Sequence, residues 1–484
     1  MSAAPATPDA TLDGAELARL DAVLRAQRAA FAARPFPTLA ERRARLATLA
    51  AALRRYQDVL ATAIDADFGG RSVFESKLAD VVGPVLEINH ARSHLRRWMR
   101  SRRRHTELVF ATNSAYVMYQ PKGVVGIIAP WNFPVYLALG PLVAALAAGN
   151  RAMIKMSEYT PRTTATVRAM LAEVFAEDEV AVFGGGVAVA EAFSALPFDH
   201  LVFTGSPAIG PRVMRAAAAH LTPVTLELGG KSPVLVAPGA DLEAAARAVA
   251  HGKAFNSGQI CVAPDYALVP ETAVDAFAAA AERSFRSLYP SVAGNADYTG
   301  IVTARQHARI LELIADARAK GATVTAAGDA GGDRRLPLYI VTGVNDSMRI
   351  AQEELFGPIL PVIGYRTVAD AVRYVAERPR PLALYPFGFG GSALNDLLAN
   401  THSGGVTVND WGWHVFNHDL PFGGSGTSGM GTYHGEEGFR ELSHQKAVFR
   451  RHRFFPVGLF YPPYGNWVQR LVVRFYLGKP PAPR

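Results

Sequence analysis

The sequence predicts an α/β protein built on two parallel sheets, and three observations carry that expectation. Strand-like β-branched runs alternate with helical runs from about residue 124 to 228. A second alternating block runs from residue 232 to about 409, and Gly229-Gly230 joins the two. Alternation of this kind is the mark of a parallel sheet covered on both faces. The chain of 484 residues also exceeds what one hydrophobic core serves, so it should divide into domains. Two such blocks leave a cleft where they meet, and open α/β sheets take ligands beyond the carboxyl ends of their strands.

The elements follow in chain order. Residues 17–98 are rich in Ala, Leu and Arg, and Leu46, Leu49, Leu53 and Leu60 fall at helical spacing, which predicts helices packed on one face. "AYVMYQPKGVVGIIAP" (115–130) switches to alternating, β-branched character between Pro121, Gly123 and Pro130. Residues 123–150 carry no charge, a length that would admit a membrane span. Pro130, Asn132, Pro134 and Pro141 argue instead for a strand over 124–129, a Pro-rich loop and a buried helix. Strands are then expected near 152, 179, 200 and 224, and in the second block at "SPVLVAP" (232), "LPVIGY" (360) and "GGVTVN" (404). The Pro/Gly-rich segment "FFPVGLFYPPYG" (454–465) sets off an amphipathic stretch, "NWVQRLVVRFYLG" (466–478).

Composition narrows the function. A single cysteine excludes an intrachain disulfide and fits a reducing compartment. Asp9, Asp13 and Glu16 stand where a signal peptide would be apolar, so the protein is expected in the cytoplasm. The formal charge of +8 is local: residues 442–484 hold eight basic side chains and no acidic one. A basic tail without a folded motif beside it is not a nucleic-acid footprint, so no nucleic-acid partner is expected. The Arg-rich run 92–105 reads as a solvated helix face.

Four segments could carry chemistry. Asn132 in "PWNFP" either bonds its own backbone or presents an amide to a developing oxyanion. Residues 205–210, "GSPAIG", follow a strand and open a helix, which suits either a tight turn or a phosphate cradle. Glu227 lies between two leucines at a strand end, where a carboxylate needs a cation or several donors. Burial that lifted its pKa toward neutral would make it a general base. Cys261, in "FNSGQICVAPDY", is either an inert small hydrophobe or a nucleophile. Its neighbours Ser257 and Gly258 suggest room for a ligand.

With "KMSEYTP" (155–161), "EELFGP" (353–358) and "PFGGSGTSGMG" (421–431), these segments resemble the signature blocks of the aldehyde dehydrogenase superfamily, in order, from about residue 17 to 455. "CVAPDY" and "SGMGTYHGEEGF" are most similar to its class-3 branch and to the bacterial coniferyl aldehyde dehydrogenases. The resemblance implies an α/β fold of the aldehyde dehydrogenase type, with two Rossmann-like parallel domains and a small β oligomerisation extension. It implies a dinucleotide-binding domain over 1–107 and 126–228, a catalytic domain over 229–415, an oligomerisation segment over 108–125 and 416–460, and a basic amphipathic tail over 461–484.

It also implies a reaction: NAD(P)-dependent oxidation of an aldehyde, aromatic such as coniferyl aldehyde or medium- to long-chain aliphatic, to the acid. Cys261 would be the nucleophile, with Asn132 and the Cys261 N–H holding the oxyanion and Glu227 activating water. Lys155 and Glu158 match positions that bind the adenosine ribose, Gly205 and Ser206 a pyrophosphate contact, and Glu354 and Phe356 the nicotinamide ribose and ring. Glu158 favours NAD over the 2′-phosphate of NADP, although relatives in that branch use both. A homodimer and no metal are implied. Two departures bear on cofactor affinity: Met156 where proline is usual, and Ser425 where class-3 chains often have valine.

The substrate side is less determined. Trp411, Trp413, His414, Phe416 and His418 sit on the loop before the glycine-rich block and could line a pocket or pack the loop down, with His418 read as a satisfied structural histidine. The tail is read as docking on a partner subunit, ahead of capping the substrate entrance or touching an anionic membrane surface. A CoA-acylating or reductive relative, or a binding protein reusing the fold, would typically lack the base or the nucleophile. Glu227 and Cys261 argue against both.

Overall fold

The computed structural model describes residues 10–329 and 333–478, so Asp9, Lys479 and Arg484 lie outside the described residues. The chain forms two compact units, Met1–Trp98 with Gln120–His444, and Met99–Tyr119 with Gln445–Arg484.

The first unit opens with helices Ala10–Ala33, Leu39–Phe68 and Gly83–Trp98. Leu39–Phe68 begins at a capping box in which Thr38 and Glu41 satisfy each other's backbone N–H, and it stops at Gly69 in the left-handed region. Its face of Leu46, Leu49, Leu53 and Leu60 is fully buried, as the helical spacing required.

Five parallel strands and one short antiparallel strand form the first sheet. Its order is Gly429–Met430, Val224–Leu228, His200–Gly205, Val124–Ile128, Arg151–Lys155 and Val180–Phe183. The charge-free run 123–150 becomes the central strand, a proline-rich loop and the helix Tyr136–Ala148, which is buried on every side. Among the described residues, no helix is long and apolar enough to cross a membrane.

Four residues after Val224–Leu228 the chain enters the second sheet at Pro233–Val236. This sheet has seven strands in the order Thr323–Ala326, Tyr339–Thr342, Ile359–Tyr365, Tyr266–Pro270, Pro233–Val236, Ala383–Phe387 and Gly405–Val406. Only the first pair is antiparallel. Together the sheets make the α/β architecture expected from the alternation.

The second unit is built around a three-stranded sheet ordered Arg102–Arg104, Ser114–Pro121 and Ser443–Arg450. This corrects the reading of the Arg-rich run as one helix face: the helix ends at Trp98 and Arg102–Arg104 is an edge strand. The cause is local, since arginines are exposed on either element and charge alone does not distinguish a helix face from a strand edge. The tail helix Trp467–Leu477 is capped by Asn466, whose side chain accepts from Gln469 N–H, and it exposes Trp467, Leu471 and Phe475.

Candidate active site

The parallel strands of the first sheet deliver their carboxyl ends to one edge, and the candidate residues ride on them. Glu227 is one residue from the end of its strand, in register with Thr204. It is 2% exposed, and neither carboxylate oxygen has a hydrogen-bond partner among the described residues. The cation or donors that an ionised carboxylate needs are therefore not supplied, and burial lifts its pKa well above the usual range. Burial therefore favours the neutral form of Glu227.

Asn132 lies in the loop after the central strand. Its side-chain amide donates to the Gln259 carbonyl at 3.1 Å, not to its own backbone. Its carbonyl accepts from Arg71 Nη1 at 3.0 Å and from Asn256 Nδ2 at 3.1 Å. The Asn132 loop is thus tied directly to the cysteine loop.

The cysteine loop is strained. Asn256, Ser257 and Gly258 all have positive φ (48°, 52° and 69°), a conformation costing roughly 1–3 kcal/mol at each non-glycine residue. Buried partners hold it there: Glu75 accepts from Asn256 N–H (3.1 Å) and Thr299 Oγ1 (2.9 Å), and the Ser257 hydroxyl donates to the Thr299 carbonyl. Gln259 Nε2 donates to Asn256 and Gly300 carbonyls, while its Oε1 accepts from Val302 N–H. These contacts correct the expectation that Ser257 and Gly258 make room for a ligand. Both are buried, and a Cβ at Gly258 would lie 2.6 Å from the Gly357 carbonyl oxygen. The small residues serve the chain's own packing.

Cys261 follows on that loop. Burial pushes its thiol up to about 12, with the Glu354 and Glu227 carboxyls acting in the same direction. The amides of Cys261 and Val262 pull the other way. Opposite it, Glu354 accepts from Gly230 N–H at 3.1 Å, and burial followed by the neighbouring Asp265 raises its pKa to about 8. Gly229 is required beneath it, because a Cβ there would sit 2.1 Å from Glu354 Oε2. Phe356, at φ 46°, sets its ring edge-to-face on Trp131 at 5.3 Å.

Asn132, Gly205, Ser206, Glu227, Cys261, Glu354 and Phe356 line one cleft of about 270 Å³, together with Trp131, Thr204, Gln306 and Arg309. Lys155 and Glu158 do not border it. They lie at and beyond the end of the neighbouring strand, where Lys155 Nζ donates to the Met156 and Gly185 carbonyls at 2.6 and 2.8 Å and Glu158 is exposed. Burial lowers the Lys155 pKa against the opposing pull of Glu158, Asp13 and Glu16.

A second chamber of about 50 Å³ opens on the other side of the thiol. It is walled by Phe133, Tyr136, Phe255, Trp411, Val415, Phe416, Phe422 and Tyr433, and Leu137 and Cys261 line both spaces. Trp411 and Phe416 of the aromatic loop reach it, whereas Trp413 is 61% exposed and His414 is turned onto Thr407 Oγ1 (2.9 Å). His418 is buried and held neutral, its pKa pulled down to about 4 by burial and then by His90. Neither of its nitrogens has a partner among the described residues, so it is not the satisfied histidine expected.

Sequence reading missed the supports. Arg71 spans Asp80 (3.1 Å) and Glu75 (3.4 Å), and Asp80 accepts from Val135 and Tyr136 N–H at 3.0 Å each. Arg71 precedes the short helix Val73–Ser76 that carries Glu75, Asp80 lies in the π-helical turn Lys77–Val82, and only the tertiary fold turns these charges inward. Gln306 and Arg309 gave no signal either.

The donor set fits a dinucleotide. A glycine turn leads into the helix Gly210–Ala218, a buried lysine stands beside an exposed carboxylate, and buried Thr204 Oγ1, which borders the cleft, has no partner among the described residues. These groups share a parallel α/β frame with the half-buried thiol of Cys261.

Comparisons with known proteins agree. The model of the aldehyde dehydrogenase family matches residues 3–448. A probable coniferyl aldehyde dehydrogenase of Pseudomonas aeruginosa is 48% identical over 96% of this chain and 97% of its own. The coniferyl aldehyde dehydrogenase of a Pseudomonas species is 45% identical, over 89% and 91%. Among solved structures, substrate-bound AldH of Staphylococcus aureus superposes with a TM-score of 0.88 at 33% identity, over 94% of this chain and 99% of that one. An aldehyde dehydrogenase of Mycobacterium tuberculosis in complex with NAD+ gives 0.81 at 29% identity, over 89% and 90%. The chain belongs to the aldehyde dehydrogenase family.

Proposed function

We propose that this aldehyde dehydrogenase oxidises its substrate through a thioester on Cys261. The observation that carries this reading is the place of Cys261, bordering both the polar cleft and the aromatic chamber. An aldehyde in the aromatic chamber meets the sulfur with its carbonyl facing the cleft. The Cys261 and Val262 amides favour the thiolate, and the second hydrogen of the Asn132 amide is free to meet the oxyanion formed on addition. Bound nicotinamide cofactor supplies the hydride acceptor in the cleft. Glu227, once ionised, takes a proton from the water that cleaves the thioester. Its presence in the cleft speaks against a CoA-acylating or reductive relative, for which a hydrolytic base has no use.

The finer assignments rest on the same footing. Lys155 and Glu158 hold the adenosine ribose, Gly205 and Ser206 the pyrophosphate, and Glu354 and Phe356 the nicotinamide end. The exposed Glu158 carboxylate disfavours a 2′-phosphate, so NAD is the preferred cofactor and NADP the weaker one. Aromatic walls and the names of the two Pseudomonas relatives favour an aromatic aldehyde such as coniferyl aldehyde over an aliphatic one. The exposed edge strand Ser443–Arg450 suits pairing with a second copy in a homodimer. The domain division, with an oligomerisation segment and a tail that docks on the partner, and a cytoplasmic location complete the reading.

The test is formation of NADH or NADPH by the purified protein over a panel of aromatic and aliphatic aldehydes. Cys261→Ala should abolish turnover with every aldehyde. Glu227→Gln should give one burst of reduced cofactor and then stall. Turnover surviving Cys261→Ala would overturn the nucleophile, and a full steady rate in Glu227→Gln would overturn the base.

A further inference from the structure

Behind the aromatic chamber lies a group that the chemistry above leaves unused. Glu87, on the helix Gly83–Trp98, is 3% exposed, and its Oε2 has no hydrogen-bond partner among the described residues. The nearby buried arginines are committed elsewhere: Arg71 faces Glu75 and Asp80, and Arg42 donates to the Pro37, Ala147 and Ala148 carbonyls. Tyr433 is 1% exposed, and its hydroxyl likewise has no partner among the described residues. The two side chains meet over Gly140, where a Cβ would lie 3.1 Å from the Tyr433 ring and 3.2 Å from Glu87 Oε2.

Tyr433 has two faces. One lines the aromatic chamber with Cys261, and the other lines a cavity of about 10 Å³ with Glu87 and His90. That volume suits a single water, and such a water needs the two to four polar partners that Glu87 and Tyr433 begin to supply. His90, one helical turn beyond Glu87, places Nε2 3.3 Å from Oδ1 of Asp419, which is exposed. On the inner side, Glu227 Oε1 and the Thr432 methyl both flank Gly423, and Tyr433 N–H donates to the Phe422 carbonyl. Tyr433 thus feels the carboxyls of both Glu227 and Glu87, and His90 and Asp419 lie beyond Glu87 toward the surface.

We propose that Tyr433, Glu87 and His90, with one water in the cavity they line, carry protons from the thiol chamber to Asp419 and solvent. The proposal rests on the thioester reading. Oxidation of R–CHO with water yields R–COO⁻, the hydride taken by the cofactor, and two protons that must leave a closed site. When water cleaves the thioester, the C–S bond breaks, a C–O bond forms and Glu227 accepts the water's proton. Glu227 is restored as a base by passing that proton to the Tyr433 oxygen while the phenolic hydrogen moves through the water to Glu87. A buried neutral carboxylic acid accepts on one oxygen and donates from the other, which is what a relay requires and an amide cannot do. Tyr136 also faces Glu87, its hydroxyl 3.3 Å from His434 Nε2. His94, Arg97, His418 and Asp419 surround His90. These make Glu87 and His90 positioning residues for proton transfer, not groups that touch substrate.

Stopped-flow measurements on Glu87→Gln, Glu87→Asp and His90→Gln with NAD and benzaldehyde test this. Glu87→Gln should keep the pre-steady-state rate of cofactor reduction, lose about tenfold or more in steady turnover, and show a larger solvent deuterium isotope effect than the parent. Glu87→Asp should restore part of the loss, and His90→Gln should repeat the pattern where Glu87→Gln does not fold. Parental steady rate and isotope effect in Glu87→Gln would overturn the path, as would an equal slowing of both phases, which marks a structural role. No burst in Glu227→Gln would instead overturn the thioester reading on which the path rests.

Discussion

In the mechanism proposed above, Cys261 and Glu227 each act only without their proton. Burial opposes both ionisations, with the thiol pushed up to about 12 and the carboxyl raised well above its usual range. The stability sign follows from linkage: a carboxyl whose folded pKa is raised binds its proton more tightly than in the unfolded chain. It stabilises fully below about pH 4.5, and the benefit is lost as pH rises toward the folded value. Glu227→Gln is therefore expected to melt above the parent at pH 8, by about 2–4 °C for each kcal/mol relieved, with the gain shrinking toward pH 5 in thermal unfolding scans. An unchanged difference across that range would refute the buried-acid description. At this scale the sequence spoke where a side chain has few uses. A lone cysteine and a glutamate between leucines advertise themselves. Gln259, Arg71 and Glu75 do not, because their partners lie far along the chain and their type suits any surface helix or loop.

The strained turn at 256–258, with its buried clasp, sets the position of Cys261, the proposed nucleophile. Glu75 is the hub, joining Asn256, Thr299 and Arg71. Glu75→Ala leaves the Asn256 N–H without an acceptor and Arg71 with one carboxylate fewer, and breaking a buried pair of this kind costs about 3–5 kcal/mol. We expect a lowered melting temperature, and a fall of about tenfold or more in kcat/KM in the variant that remains folded at low temperature. Parental kinetics would show that the loop needs no clasp. Strand and helix alternation was legible because its period is local. The Arg-rich run was not, since exposed arginines tolerate a helix end and an edge strand equally. The turn at 256–258 was half legible: small residues marked it as special, but their purpose is to let the backbone pack on Gly357 and Thr299.

At the scale of the molecule, the basic tail is the open feature. Its helix Trp467–Leu477 leaves Trp467, Leu471 and Phe475 exposed beside Arg470 and Arg474. In the homodimer proposed above, removing residues after Pro463 should give a monomer, read by sedimentation or light scattering. A dimer that survives with altered chain-length preference would favour a gate over docking. The charge asymmetry and the helix were readable in the sequence, but their purpose was not, because amphipathic periodicity records that a face wants cover without saying by what.

The aromatic chamber next to the thiol has a last consequence. Aldehydes in water exist partly as gem-diols, whose two hydroxyls would surrender most of their hydration among Phe133, Phe255, Trp411 and Phe422. With the aldehyde bound as proposed above, the chamber would favour the free carbonyl over the hydrate. Conjugated aldehydes, which hydrate little, present nearly all of their concentration to Cys261, whereas strongly hydrated short ones present a fraction. Discrimination between them begins in the solvent, before any atom of the enzyme is touched.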